Sequence, residues 1–231
     1  MKNVNTIFTK QANDMFKNIG TLIQFIIFPV VALVMTRLVA IPDADMPNNM
    51  FVTMKAAMFA GMSLIPVMTN IISEDVERKS LRLLVMAGVK PHQYLFGIGG
   101  FILLAGVVTS VAFGLIGDFA VIEIIKFLAI MITGSAASII LGATIGILAK
   151  NRQSSAAISM PIAMILGFSP MISNFNETVE RFSSVLYTQQ INVIVNDFSA
   201  NFARAMLIVG ANIAVLTVLF AIAYKKKGLR G

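Results

Sequence analysis

Hydrophobic positions in this chain gather into long continuous runs, with little of the strict alternation that marks strands. Six runs, at 20–40, 51–72, 95–116, 127–149, 156–171 and 205–224, approach the ~20 residues that a helix rising ~1.5 Å per residue needs to cross ~30 Å of hydrocarbon. Runs rich in Leu, Ile, Ala and Gly on every face exclude the period-two pattern of a membrane β-barrel. Helices are then the remaining spanning structure, because lipid offers no partner to an open backbone. The pattern therefore predicts an all-α integral membrane protein with six transmembrane helices. The first run exceeds the roughly 7 to 15 residues of a signal-peptide core, and no convincing small-x-small cleavage site follows it. It is expected to be a retained span.

The pattern changes to a 3.6-residue period in two places outside the runs. Over 1–19, Val4, Ile7, Phe8, Ala12, Met15, Phe16 and Ile19 share one face, and Lys10, Asn13, Asp14 and Lys17 take the other. This predicts an amphipathic helix lying in the membrane interface, with a soluble overhang as the alternative. The transmembrane domain would then occupy 20–231. Over 172–204, Phe175, Val179, Phe182 and Leu186 form one stripe, and Ile191, Ile194, Phe198 and Phe202 form another. Two short amphipathic helices dipping into the outer leaflet are expected there, since so many large apolar side chains are costly to leave in water.

Composition agrees: 57% of the 231 residues are hydrophobic and 13% charged, with a mean hydropathy of +0.84. Soluble domains are nearer ~45–50% and ~25%. Thirteen of the eighteen Lys and Arg residues lie on one side of the predicted spans. They are Lys2, Lys10, Lys17, Arg78, Lys79, Arg82, Lys90, Lys150, Arg152, Lys225, Lys226, Lys227 and Arg230. By the positive-inside rule both termini are expected in the cytoplasm. These cations sit at membrane borders, so their expected partner is lipid and not nucleic acid.

Little chemistry is offered. The chain has no cysteine and one histidine, His92, so no thiolate, metal cluster or histidine-based triad can be assembled. Glu74 and Glu77 beside Arg78 superficially match glutamate-based membrane proteases, which also need histidines on neighbouring spans. No Gly-x-x-x-x-Gly-Lys-Ser/Thr phosphate loop occurs. No catalytic residue, metal or bound cofactor is expected.

Three patterns inside the spans suggest roles. Gly134, Ser138, Gly142 and Gly146 place small residues every four positions, a face suited to close helix approach, either between subunits or within one bundle. Met50, Met54, Met58 and Met62 form a stripe on the second run, and Met160, Met164, Phe168 and Met171 a similar one on the fifth. Flexible methionines suit a wall that receives varied apolar shapes, and equally an ordinary core. Lys55 and Arg37 lie near span ends, and no Asp or Glu lies deep in a run, as a proton relay would require.

The most highly charged stretch, SEDVERKSLRLLVMAGVKPHQYLFG from Ser73, joins the second and third runs. Ser73 is expected to cap a helix whose first turn carries Glu74 and Asp75. Gly88 suits the position past its end, and Pro91 the first turn of the next helix. Leu81, Leu84 and Val85 share one face, with Arg78, Lys79 and Arg82 interleaved. The segment 73–91 reads as a protein-docking helix, or else as a helix resting on headgroups. Its acids favour docking, because anionic lipid would repel them.

The run Glu77-Arg78-Lys79-Ser80-Leu81-Arg82-Leu83-Leu84, followed by Gly88-Val89-Lys90-Pro91 after the second of six spans, resembles the cytoplasmic motif of permease subunits of type-2 ATP-binding-cassette exporters. It departs from many members, which have Gly-Thr where this chain has Lys79-Ser80 and an acid where it has Arg82. The resemblance implies a membrane subunit working with two copies of a separate ATPase, which would hold the ATP and Mg, and with a second permease, identical or paralogous. It also implies a bacterial plasma membrane. Coupling would fall to Glu74, Asp75, Glu77, Arg78, Ser80, Leu81, Arg82 and Leu84. The pathway would lie beside Met54, Met58, Met62, Met160, Met164 and Phe168. A nearly charge-free interior then points to an amphipathic or hydrophobic cargo: a peptide, an antibiotic or a lipid-like molecule. The alternatives are an ion-gradient-driven secondary transporter and a non-transporting membrane scaffold.

Overall fold

The computed structural model describes residues 8, 9, 11, 13–15, 18–39 and 50–230, and they contain helix but no strand. Helix α1 (Ile19–Val34) ends in a π-helical turn at Met35–Val39. The second span is α2 (Met50–Met58), a π-helical turn (Phe59–Ser63) and α3 (Leu64–Glu77) in one line. A two-residue break leads to α4 (Ser80–Met86), then α5 (Pro91–Ile116), α6 (Val121–Leu148) and α7 (Arg152–Ser173). Two short helices, α8 (Glu177–Ser183) and α9 (Tyr187–Asn196), precede α10 (Phe202–Arg230). Among the described residues six helices are long and apolar enough to cross a membrane, which is consistent with a multi-pass membrane protein.

Pro66 accounts for the π-turn. It has no N–H, and its ring crowds the carbonyl four residues back, at Met62, so the helix widens there to a looser register. The widened turn is used: the Ala60 carbonyl accepts a hydrogen bond of 2.6 Å from Ser138 on α6, and Ser63 donates to the Gln24 carbonyl on α1 at 3.1 Å.

The second span is the axis of the bundle, 72% buried against 17% for the first and sixth spans. Phe59 sits at its centre, with ring centroids of Phe25, Phe28 and Phe113 within 5.8 to 6.2 Å. The small residues of α6 face this axis. A Cβ at Gly142 would meet the Ile65 carbonyl oxygen at 2.6 Å, and one at Gly146 the Thr69 carbonyl oxygen at 2.8 Å. A Cβ at Gly134 would meet the tip of the Ile191 side chain of α9 at 2.6 Å. The Gly134, Ser138, Gly142, Gly146 face is therefore packed within the bundle and is not free for a second subunit.

Helix α9 lies in the bundle, with Tyr187, Ile191, Ile194 and Val195 buried against the second and fourth spans. The preceding stripe behaves differently, since Phe175 and Phe182 are fully outward. Among residues 1–19 the described positions before Asn18 are helical, with Phe8 edge-on to Phe101 at 5.3 Å and Met15 buried. Val4, Ile7, Lys10, Ala12, Phe16 and Lys17 lie outside the described residues.

One expectation is corrected. Ser73 does not cap a new helix: α3 continues through it to Glu77, and its hydroxyl donates back to the Asn70 carbonyl at 3.0 Å. The break falls at Arg78 and Lys79, where Lys79 takes φ +58°, and the short helix starts at Ser80. A serine inside a helix satisfies its hydroxyl locally, so it need not mark an end. Gly88 (φ +77°) and Pro91, the first residue of α5, stand where the sequence puts them.

Candidate partner-docking site

Helix α4 is held from behind by buried or half-buried polar contacts. Asp75, in the last turn of α3, is the hub. One carboxylate oxygen accepts the Ser80 hydroxyl at 2.8 Å, and the other accepts the Tyr94 hydroxyl at 2.7 Å. This single side chain thus ties the end of the second span to the start of α4 and the start of the third span. Tyr94 is fully buried, with its ring 5.7 Å from that of Tyr224 on α10. Tyr224 in turn donates to the Val89 carbonyl at 3.0 Å, fixing the exit from α4 onto the sixth span.

The other acids are also used internally. Glu74 pairs with Arg78 at 2.7 Å and with Arg152 at 3.3 Å, and Glu77 accepts the backbone N–H of Arg152 at 3.1 Å. A carboxylate at the N-terminus of α7 satisfies a helix donor that has no partner within its own helix. Ser73 and Ser155 lie 2.9 Å apart, oxygen to oxygen, just behind these charges. The second and fifth spans are therefore joined at this end by both polar and ionic contacts.

What faces outward is a different set. Lys79, Arg82, Leu83 and Met86 are exposed, Leu83 at 66% and Met86 at 73%, while Leu81 is buried and Leu84 half-buried. Of the eight residues expected to couple, Asp75, Glu74, Glu77 and Ser80 anchor the helix, Leu81 and Leu84 seat it, Arg78 is exposed but paired, and Arg82 is presented. Leu83 and Met86 were not anticipated. Starting the helical period at Ser80 instead of Ser73 would have found them, because positions 79, 82, 83 and 86 then share one face.

The two methionine stripes are not brought together. Met54 and Met58 are buried, and Met62 packs on Gly167 of α7, where the second and fifth spans touch. Met160 and Met164 are about half exposed on the outer side of α7, and Phe168 is half-buried. A Cβ at Gly61 would meet the Gly167 backbone nitrogen at 2.8 Å, and one at Gly167 would overlap the Met62 side chain, so the two helices approach closely here.

A cavity of about 890 Å³ opens between the described N-terminal helical residues and the ends of α1, α3, α4, α5 and α7, bordered by Asp14, Glu74, Arg78 and Arg152. At the opposite end of the fifth span a polar cluster links α7 to α9, with Ser173 donating to Gln189 at 2.9 Å. There the Tyr187 hydroxyl meets Ser138 at 2.7 Å, and burial holds its pKa well above the usual tyrosine value, partly offset by that hydrogen bond. No protein-family model and no curated protein matches the chain.

Proposed function

We propose that this chain is the membrane-spanning permease of an ATP-driven exporter, working with a separate ATP-binding-cassette ATPase in two copies and a second permease. The observation that carries the reading is α4: a short helix outside the spans, backed by Asp75, Tyr94 and Tyr224, that exposes an apolar pair, Leu83 and Met86, together with two cations, Lys79 and Arg82. A helix that only rested on lipid would need no such backing. Closure of the ATPase would press on α4, and the load would pass through Asp75 to the second and third spans and through Val89 and Tyr224 to the sixth. Glu74, Glu77 and Arg152 would carry it to the fifth.

In this reading 73–91 and both termini face the cytoplasm, the N-terminal helix lies in the inner interface, and α8 with its exposed Phe175 and Phe182 rests in the outer leaflet. The cargo is amphipathic or hydrophobic, a peptide, an antibiotic or a lipid-like molecule. Met160 and Met164 are the methionines placed to meet it or the second permease.

The test is co-purification with a stand-alone ATP-binding-cassette ATPase, sought first in the genes beside this one. Leu83→Asp with Met86→Asp should abolish capture of the ATPase while membrane insertion is kept. Unchanged capture and unchanged export by that double variant would overturn the reading.

A further inference from the structure

The 890 Å³ cavity behind α4 has a polarity gradient along the bundle axis. Charged groups ring its mouth at the helix ends: Asp14, Glu74, Asp75, Arg78 and Arg152. Ile71 and Ile98 line it about one turn, or ~6 Å, deeper into their spans. A ligand fitting both layers has a charged head and an apolar body aligned with the spans.

The charges specify the head. Arg78 and Arg152 converge on one carboxylate, Glu74, at 2.7 and 3.3 Å, so each guanidinium keeps unused N–H donors. Donors set in a pair around a fixed point suit a phosphate. Yet among the described lining residues two cations stand against three acids, which disfavours a net-anionic ligand. Both Asp75 oxygens already accept hydroxyl protons, from Ser80 and Tyr94. Asp14 is exposed and has no ion pair among the described residues, and its carboxylate borders the same cavity. A phosphate for the arginines and an N–H-bearing cation for Asp14 together make a phosphoethanolamine group. A choline head would give Asp14 no donor, and among the described lining residues Tyr94 is the single aromatic, too few for a cage.

We propose that this cavity binds the headgroup of a membrane phospholipid of the ethanolamine type, phosphate between Arg78 and Arg152 and ammonium at Asp14, with its glycerol and acyl start over Ile71 and Ile98. Its volume lies within the range of ligand sites. Leu83 borders both the cavity and the exposed face of α4, so the two adjoin, whereas Met86 and Arg82 do not line the cavity. A lipid seated there would wedge the N-terminal helical residues against α3 and α5.

The experiment is native mass spectrometry of the detergent-purified full chain, equilibrated with equal amounts of phosphatidylethanolamine, phosphatidylcholine and phosphatidylglycerol of matched acyl chains. One ethanolamine lipid should be retained per chain in preference to the other two. Asp14→Asn should erase the preference over choline, and Arg152→Gln should cut retention roughly tenfold, the size expected for losing one charge-assisted hydrogen bond. Arg152→Lys should recover part of it, and the remote Arg181→Gln should change nothing. Equal retention of all three lipids, preference for phosphatidylglycerol, or retention indifferent to Asp14 and Arg152 would each overturn the proposal. Displacement by free phosphoethanolamine at the lipid's own concentration would transfer the chemistry to a soluble ligand and overturn the lipid. None of these readouts involves the ATPase, so failure here and failure of α4 docking are separate results.

Discussion

The Tyr94 hydroxyl donates to Asp75 at 2.7 Å, across the break between the second and third spans, and Ser80 donates to the other oxygen of the same carboxylate at 2.8 Å. The pair makes the mount of α4 distinct from its outward face. Tyr94→Phe and Asp75→Asn should therefore leave Leu83 and Met86 able to bind an ATPase while weakening the link to the spans. The expected phenotype is retained capture with lowered coupling of ATP hydrolysis to export, and a stability loss of about 1.5–3 kcal/mol by thermal unfolding in detergent. Loss of capture in these variants would mean that the acid contacts the partner directly.

Helix packing gives a contrast between two glycines. Alanine at Gly142 would drive a Cβ to 2.6 Å from the Ile65 carbonyl oxygen, a backbone atom that cannot turn aside, whereas nothing lies within 4 Å of a Cβ at Gly210. Gly142→Ala should destabilise by ~1–3 kcal/mol or more, and Gly210→Ala should be neutral or stabilising by up to ~1 kcal/mol. Unfolding midpoints measured side by side check this. Equal effects would deny that the small-residue face of α6 is packed on the second span.

The methionine stripes can be separated by labelling, because the chain has no native cysteine. Met164 is 51% exposed and Met58 8%. In the purified protein Met164→Cys should react readily with a lipid-soluble maleimide, and Met58→Cys should react at least tenfold more slowly. Comparable rates would show a pathway reaching the second span in the resting protein.

Sidedness follows from six crossings and the cation asymmetry. Arg82 and Thr178 are both exposed, in segments separated by three spans. An impermeant maleimide added outside intact cells should label Thr178→Cys and spare Arg82→Cys. Labelling of both would break the six-span topology.

Alkaline pH should loosen the α6 and α9 contact. Burial raises the Tyr187 pKa, so the folded chain keeps a proton that the unfolded chain releases near pH ~10. The stabilisation is complete below that pH and is lost as pH rises from there through the folded value. Thermal midpoints from pH ~8 to ~11 should fall less steeply for Tyr187→Phe, which has no proton to lose. That variant should also start ~1 kcal/mol lower at neutral pH, having lost its bond to Ser138. An unchanged alkaline slope would remove Tyr187 from the account.

The sequence alone determined the six long helices, because in lipid each backbone donor must find its acceptor four residues away, and a continuous apolar run records that locally. Gly88 and Pro91 were legible for the same reason: positive φ and a missing N–H constrain only the residue that carries them. The start of α4 was not legible, since Ser73 can satisfy its hydroxyl inside a helix as well as at a cap, and only the positive-φ turn at Lys79 decides between them. Nor could periodicity say which stripe is core. Met58 and Met164 have like chemistry and spacing, and burial depends on which helix arrives beside each. The tertiary structure alone decided the mount of α4. It joins Asp75 to a tyrosine 19 residues on and Val89 to one 135 residues on, and no local pattern encodes partners so far apart.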